Sequence, residues 1–247
     1  MTWRLVAERL RDRFQCVAVD YRGHGDSLPP ASGHFVWDGF GDDTCAVLDE
    51  LEPITRLTGS PYGIGHSMGG AALLLAELRR PGTFAGLVLF EPVVMPPLMR
   101  RDDPTPIAAA ARRRRADFES YDHAYTNFSA KPPMNLLDPA SLRDYVDFGF
   151  RQTPSGAVRL KCEPEHEALT FEGARHNIWE RLGEVRCPVL VLSGEPPAMG
   201  PGAVAALVAS RLSNGEYQRW RFLSHFGPQQ APGLIAETAA SFFASHP

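Results

Sequence analysis

Apolar residues fall into two patterns along this chain. Near both ends, short apolar runs alternate with stretches whose apolar positions recur every three or four residues. The first such stretch covers residues 2–13, with Thr2 as cap and Trp3, Val6, Leu10 and Phe14 on one face, and predicts a helix. Cys16-Val17-Ala18-Val19 comes next as a short β-branched run and predicts a buried strand, with Cys16 as a small core residue, as Cys187 is further on. Residues 40–51 predict a helix closed by Pro53, 62–64 a strand, 69–78 an Ala- and Leu-rich helix, and 84–90 another strand. Alternation resumes with a strand at 189–192, a helix at 204–212, a strand at 218–222 and a last helix at 234–243. Repeated strand–helix units imply an α/β fold with a mostly parallel sheet and helices on both faces.

The middle of the chain breaks this rhythm. Residues 107–127 predict one long helix with Phe118, Tyr121, Tyr125 and Phe128 in a stripe, and Pro132, Pro133, Pro139 and Pro154 interrupt the residues beyond it. The division is therefore a core built from 1–93 and 183–247, with 94–182 inserted as a helical cap. In open α/β sheets ligands bind at the carboxyl ends of the strands. A cap there would let Phe118, Tyr121 and Tyr125 line an apolar pocket, although the same stripe also suits packing of the cap itself.

Chemistry concentrates at those strand ends. Gly65-His66-Ser67-Met68-Gly69 lies between a predicted strand and a predicted helix, the setting in which a G-x-S-x-G pattern marks a nucleophile. A sharp strand-to-helix turn would strain Ser67, leave no room for a Cβ at Gly65 or Gly69, and aim the Met68 N–H at a developing oxyanion. His66, adjacent to the serine, reads as packing. The base should come from a late loop, and His225 in Ser224-His225-Phe226-Gly227-Pro228 is the histidine so placed. His24 reads as a turn-orienting residue, His123, His166 and His176 lie in the cap, and His246 lies in the tail. Two carboxylates compete to orient the base: Glu91, directly after the strand at 84–90, and Glu195 in Ser193-Gly194-Glu195-Pro196-Pro197. Glu91 is favoured, because two prolines stiffen the loop after Glu195 and a Glu ending an apolar strand is out of place unless paired.

Composition narrows the function classes. With 44% hydrophobic and 22% charged residues over 247 positions, the chain has the makeup of a soluble globular protein with a sizeable core. A net charge of −4 is too mild to recruit nucleic acid or an anionic membrane, so a small-molecule substrate is the expected partner. The dense run Arg112-Arg113-Arg114-Arg115 reads as a solvated helix face. The four cysteines fit no zinc or Cys-x-x-Cys spacing, and no apolar stretch is long enough to span a bilayer. A reduced, cytoplasmic protein without metal or cofactor is expected.

Taken together, Asp20-Tyr21-Arg22-Gly23-His24-Gly25-Asp26-Ser27, Gly65-His66-Ser67-Met68-Gly69-Gly70 and His225-Phe226-Gly227-Pro228 resemble the α/β-hydrolase superfamily over roughly residues 2–97 and 183–245. The resemblance implies a Ser–acid–His triad on a sheet of about eight strands. It spans esterases, lipases, thioesterases, C–C hydrolases and cofactor-free perhydrolases, while Ser67 argues against the epoxide hydrolases and dehalogenases, which carry Asp there. Two departures stand out. Pro197 occupies the usual slot of the acid, though some members carry it where Glu91 stands. The two strands and His-Gly loop that usually precede the first helix, and whose loop supplies a second oxyanion donor, have no counterpart: either the coding start lies upstream, which is favoured, or the chain is a truncated and feeble relative, and Met68 is the encoded donor. The expected activity is hydrolysis of an ester, thioester or similar acyl bond. C–C hydrolysis or a perhydrolase reaction with the same residues, or a non-catalytic binding protein, are the competing readings.

Overall fold

The computed structural model describes residues 2–55, 59–99, 106–195 and 199–247. In chain order its helices and strands are α1 (Arg4–Leu10), α2 (Asp38–Thr55), β1 (Tyr62–His66), α3 (Met68–Arg79), β2 (Gly86–Phe90), α4 (Pro106–Arg112), β3 (Asp117–Phe118), α5 (Tyr121–Ser129), α6 (Pro139–Gly149), β4 (Phe150–Gln152), β5 (Val158–Leu160), α7 (Pro164–Glu172), α8 (Ile178–Arg181), β6 (Val189–Ser193), α9 (Pro201–Arg211), β7 (Gly215–Arg219), α10 (Gly227–Gln230) and α11 (Pro232–Ser245). They fall into two compact units. One takes in Met1–Val36, Arg101–Ala174 and Pro228–Ala236, the other Trp37–Arg100, Arg175–Gly227 and Glu237–Pro247. The block expected as a cap thus maps mostly onto the first unit, joined there by the N-terminal segment.

The second unit is built on a parallel sheet in the order β1-β2-β6-β7. Its central strands, Gly-Leu-Val-Leu-Phe and Val-Leu-Val-Leu-Ser, are buried along their whole length, which is why they read as unbroken apolar runs. β7 is an edge strand whose five residues are all exposed, with Glu216 and Arg219 giving it a charged rim. It lies three residues earlier than the predicted 218–222. β6 offers five partners, from Val189↔Gly215 to Ser193↔Arg219, so the ladder stops there and Phe222 is left 70% exposed beyond it. α3 is buried from Gly70 to Leu78, and α2 approaches it closely because residue 41 of α2 is glycine: a Cβ there would lie 2.7 Å from the Leu75 Cβ.

The first unit departs further from the sequence pattern. The predicted helix at 107–127 is broken into α4, β3 and α5, and the cap expected to be helical contains a small antiparallel sheet in the order β3-β5-β4. The stripe misled because Phe118 belongs to a strand paired with Val158, and Ser120, whose Oγ accepts the His123 N–H, starts a fresh helix. The run 16–19 is not a strand: among the described residues it pairs with none, Cys16 is exposed, and Val17 is 50% exposed. Apolar, β-branched composition makes a buried strand only where ladder partners flank it. The arginine run is ion-paired rather than simply solvated. Arg112 bridges Glu165 and Glu172, Arg114 pairs with Glu167, and Arg115 stacks over Phe118.

Glu77, buried inside α3, accepts the N–H groups of Gly82 (2.9 Å) and Phe84 (3.1 Å) and so pins the turn leading into β2. Glu77→Ala should leave the buried Phe84 N–H without an acceptor and lower the unfolding free energy by about 2 kcal/mol, read from urea denaturation.

Candidate active site

β1 and β2 run in parallel with His66 opposite Phe90, so the first residues beyond them, Ser67 and Glu91, leave the sheet at the same level. Both take the left-handed backbone region, with φ of +54° and +44°, and among the described residues they are the two non-glycines that do so. Such conformations cost of order 1–3 kcal/mol each and persist where surrounding bonds over-determine them. Here the Ser67 N–H donates to the Phe90 carbonyl (3.0 Å), the Val93 N–H donates to the Ser67 carbonyl (3.2 Å), and the Glu91 N–H donates to the Leu192 carbonyl (2.8 Å).

The tight turn needs glycine at two places, one of them not the expected one. A Cβ on Gly65 would lie 2.7 Å from the Gly70 Cα, and one on Gly70 would lie 2.9 Å from the Pro92 Cβ. Gly69 faces open space, so the steric demand falls on Gly65 and Gly70. Met68 is the first residue of α3, where an N–H has no acceptor within its own helix and the helix dipole favours negative charge.

His225 lies in the loop between β7 and α10. Its Nε2 is 3.1 Å from Ser67 Oγ, and its Nδ1–H donates to Glu91 Oε2 at 2.6 Å. Glu91 is 1% exposed, and its other oxygen accepts the Gly194 N–H at 2.9 Å. The Glu91 bond fixes the ring tautomer and leaves Nε2 as the acceptor facing Oγ. Glu195 is exposed, and its N–H donates to the Leu223 carbonyl at 2.7 Å. Pro197 lies outside the described residues.

Two positions near the carboxylate are not evident from the sequence pattern. A Cβ on Gly202 would sit 2.7 Å from Glu91 Oε1, so the first turn of α9 comes against the carboxylate only because residue 202 is glycine. The Gly-Pro-Gly run at 200–202 is the available signal: proline at the first helical position followed by a residue with no side chain. The second is His66. Its Nε2–H donates to the His225 carbonyl at 2.7 Å, and its ring packs 4.7 Å from the His225 ring. Desolvation, reinforced by neighbouring His225, pushes the His66 imidazole down to about 3, so it is uncharged at neutral pH.

The other candidates have different partners. His24 Nδ1–H donates to the Arg22 carbonyl and orients its turn, His176 donates to the Val93 carbonyl, and His166 packs on Phe35. Phe118 is 2% exposed in the core of the first unit, with Phe150, Val146 and Leu160, and Tyr121 and Tyr125 pack against that cluster. Among the described residues no group of three His, Cys, Asp or Glu side chains is arranged to hold a metal ion, and no helix is long and apolar enough to cross a membrane.

A family profile described as "Alpha/beta hydrolase family" matches residues 1–238. The chain is 28% identical over 238 residues to a bifunctional esterase/perhydrolase of Acinetobacter calcoaceticus, covering 93% of this chain and 80% of that one. It is 26% identical over 204 residues to the 2-(acetamidomethylene)succinate hydrolase of Mesorhizobium japonicum, covering 83% and 69%. A solved structure of an E-2-(acetamidomethylene)succinate hydrolase superposes with a TM-score of 0.77 at 20% identity, over 98% of this chain and 86% of that one, a likeness of fold.

Glu91→Gln should slow labelling of Ser67 by a fluorophosphonate roughly 10⁴-fold, because it withdraws the charge that sets the His225 tautomer. Glu195→Gln should leave labelling within threefold of the unaltered rate, about 0.7 kcal/mol. Gly202→Ala should displace the carboxylate and slow labelling by roughly 10–100-fold.

Proposed function

Because the chain belongs to the alpha/beta hydrolase family, we propose that it is a serine hydrolase acting on an ester, thioester or related acyl bond of a small apolar molecule. The observation that carries this reading is the unbroken line from Glu91 Oε2 to His225 Nδ1 at 2.6 Å and from His225 Nε2 to Ser67 Oγ at 3.1 Å. In it a nucleophile faces a base, and the base faces a buried carboxylate.

His225 Nε2 takes the Oγ proton as Oγ bonds to the acyl carbon, and the carbonyl π pair moves onto oxygen. The Met68 N–H stabilises that oxyanion, with the positive end of α3 behind it. As the tetrahedral adduct collapses, the C–O or C–S bond to the leaving group breaks and the imidazolium returns its proton to that group. Water then adds to the acyl-enzyme by the same route: it loses a proton to His225, and as the C–Oγ bond breaks the imidazolium returns that proton to Oγ, releasing the acid and restoring Ser67. Glu91 keeps its bond to Nδ1 throughout and holds the imidazolium.

Perhydrolysis is a second reading, favoured by the similarity to a bifunctional esterase/perhydrolase. It differs only in that hydrogen peroxide replaces water in the second step and a peracid leaves.

A fluorophosphonate should label the wild-type chain and not Ser67→Ala. The wild-type chain should hydrolyse p-nitrophenyl esters of graded acyl length, and Ser67→Ala should lower turnover by roughly 10⁴–10⁶-fold. Peracid formed from the same ester and peroxide would establish the second reading. A folded chain that neither labels nor hydrolyses any ester would be a binding protein, and the enzymatic reading would be lost.

A further inference from the structure

We propose that His66 is a positioning residue for the base: by gripping the main chain of His225 it sets where that imidazole stands over Ser67. This inference rests on the triad reading above. His66 immediately precedes the nucleophile, so one peptide unit links the two. Its Nε2–H donates to the His225 carbonyl at 2.7 Å, and the His225 ring reaches back to Ser67 Oγ at 3.1 Å. The contacts close a ring through residues 66, 67 and 225, in which the end of β1 and the loop after β7 are indexed to each other.

A loop histidine needs such a tie. Glu91 fixes the tilt of the His225 ring through Nδ1 but not the position of its Cα. The carbonyl bond holds the main chain itself, and the two holds together determine where Nε2 lies. Misplacement by about 1 Å is enough to cost about 10²-fold in rate.

The chemistry of His66 suits this role. The aromatic rings packed on it among the described residues are Phe90 from the end of β2 and His225 and Phe226 from the loop, and of these rings His225 is the titratable one. Desolvation keeps His66 neutral. A neutral imidazole carries one N–H, and a carbonyl partner places it on Nε2. When His225 becomes an imidazolium during turnover, its neighbour therefore adds no opposing charge.

The test uses the full chain with three readouts: the second-order rate of fluorophosphonate labelling, kcat and KM on a p-nitrophenyl ester, and circular dichroism. His66→Phe keeps the ring and removes the donor, while His66→Gln supplies an amide N–H at similar reach. His66→Phe should slow labelling and lower kcat by about 10²-fold, with KM within threefold, and His66→Gln should recover at least tenfold of that loss. Labelling of folded His66→Phe within threefold of wild type would overturn the proposal, and so would equal losses in the two variants. Nitrogen-15 NMR of the unaltered chain at pH 7 tests it independently of how the variants fold. It should show neutral His66 protonated on Nε2, and protonation on Nδ1 would refute the grip. A wild-type chain that does not label at all overturns the triad reading and this inference with it, whereas normal labelling of His66→Phe overturns this inference alone.

Discussion

A carboxylate that is 1% exposed imposes the strictest condition on this molecule. Removing an ion from water costs several kcal/mol even after the protein relaxes, unless partners replace the lost hydration. Glu91 has those partners, one for each oxygen: the Gly194 N–H and the His225 Nδ1–H. Each belongs to a different segment, the end of β6 and the loop after β7. Satisfying the carboxylate therefore gathers three strand ends around one point. The imidazole that emerges from that arrangement is already turned toward Ser67.

Strain is placed where the same bonds can contain it. Ser67 and Glu91 share the left-handed region and share a level, because β1 and β2 end in register. The bond from the Ser67 N–H to the Phe90 carbonyl continues the strand ladder one step past the last paired residue, and the Glu91 N–H does the same toward Leu192. Both turns are thus extensions of a rigid parallel sheet whose central strands are wholly buried. A serine held by two main-chain bonds to the sheet edge is well placed for the acyl transfer proposed above, which asks for a fixed nucleophile.

How much of this is legible in the sequence depends on how local each feature is. Ser67 and His225 announce themselves through glycine-bounded turns and their order along the chain, and Glu91 through a charge directly after an apolar strand. Gly202 does not, since its constraint is a carboxylate over a hundred residues away that no spacing rule connects to it. His66 is visible, but its bond is to a main-chain carbonyl, which leaves no side-chain pattern. The run 16–19 has strand composition, yet composition is silent on partners. Phe118, Tyr121, Tyr125 and Phe128 recur at helical intervals, but the first lies on β3 and the others on α5, so a periodicity of three to four spans a real break.

The two carboxylate candidates also follow neighbouring strands, so the acid of the proposed triad need not stand beyond β6. β2 pairs with β6, Phe90 opposite Leu192, so the first residues past each strand flank the same space. With glutamate on the β2 side, the β6 side contributes differently. Through the Gly194 N–H it supplies a hydrogen bond to the carboxylate rather than the carboxylate itself. The longer reach of glutamate, from a backbone at positive φ, needs clearance on its far side, and Gly202 at the start of α9 provides it. An acid at one strand end, an N–H at the next and a glycine across from both form one interdependent set. Replacing Glu91 by Asp would shorten the reach by a methylene and draw the carboxylate back from both of its donors, the Gly194 N–H and the His225 Nδ1–H.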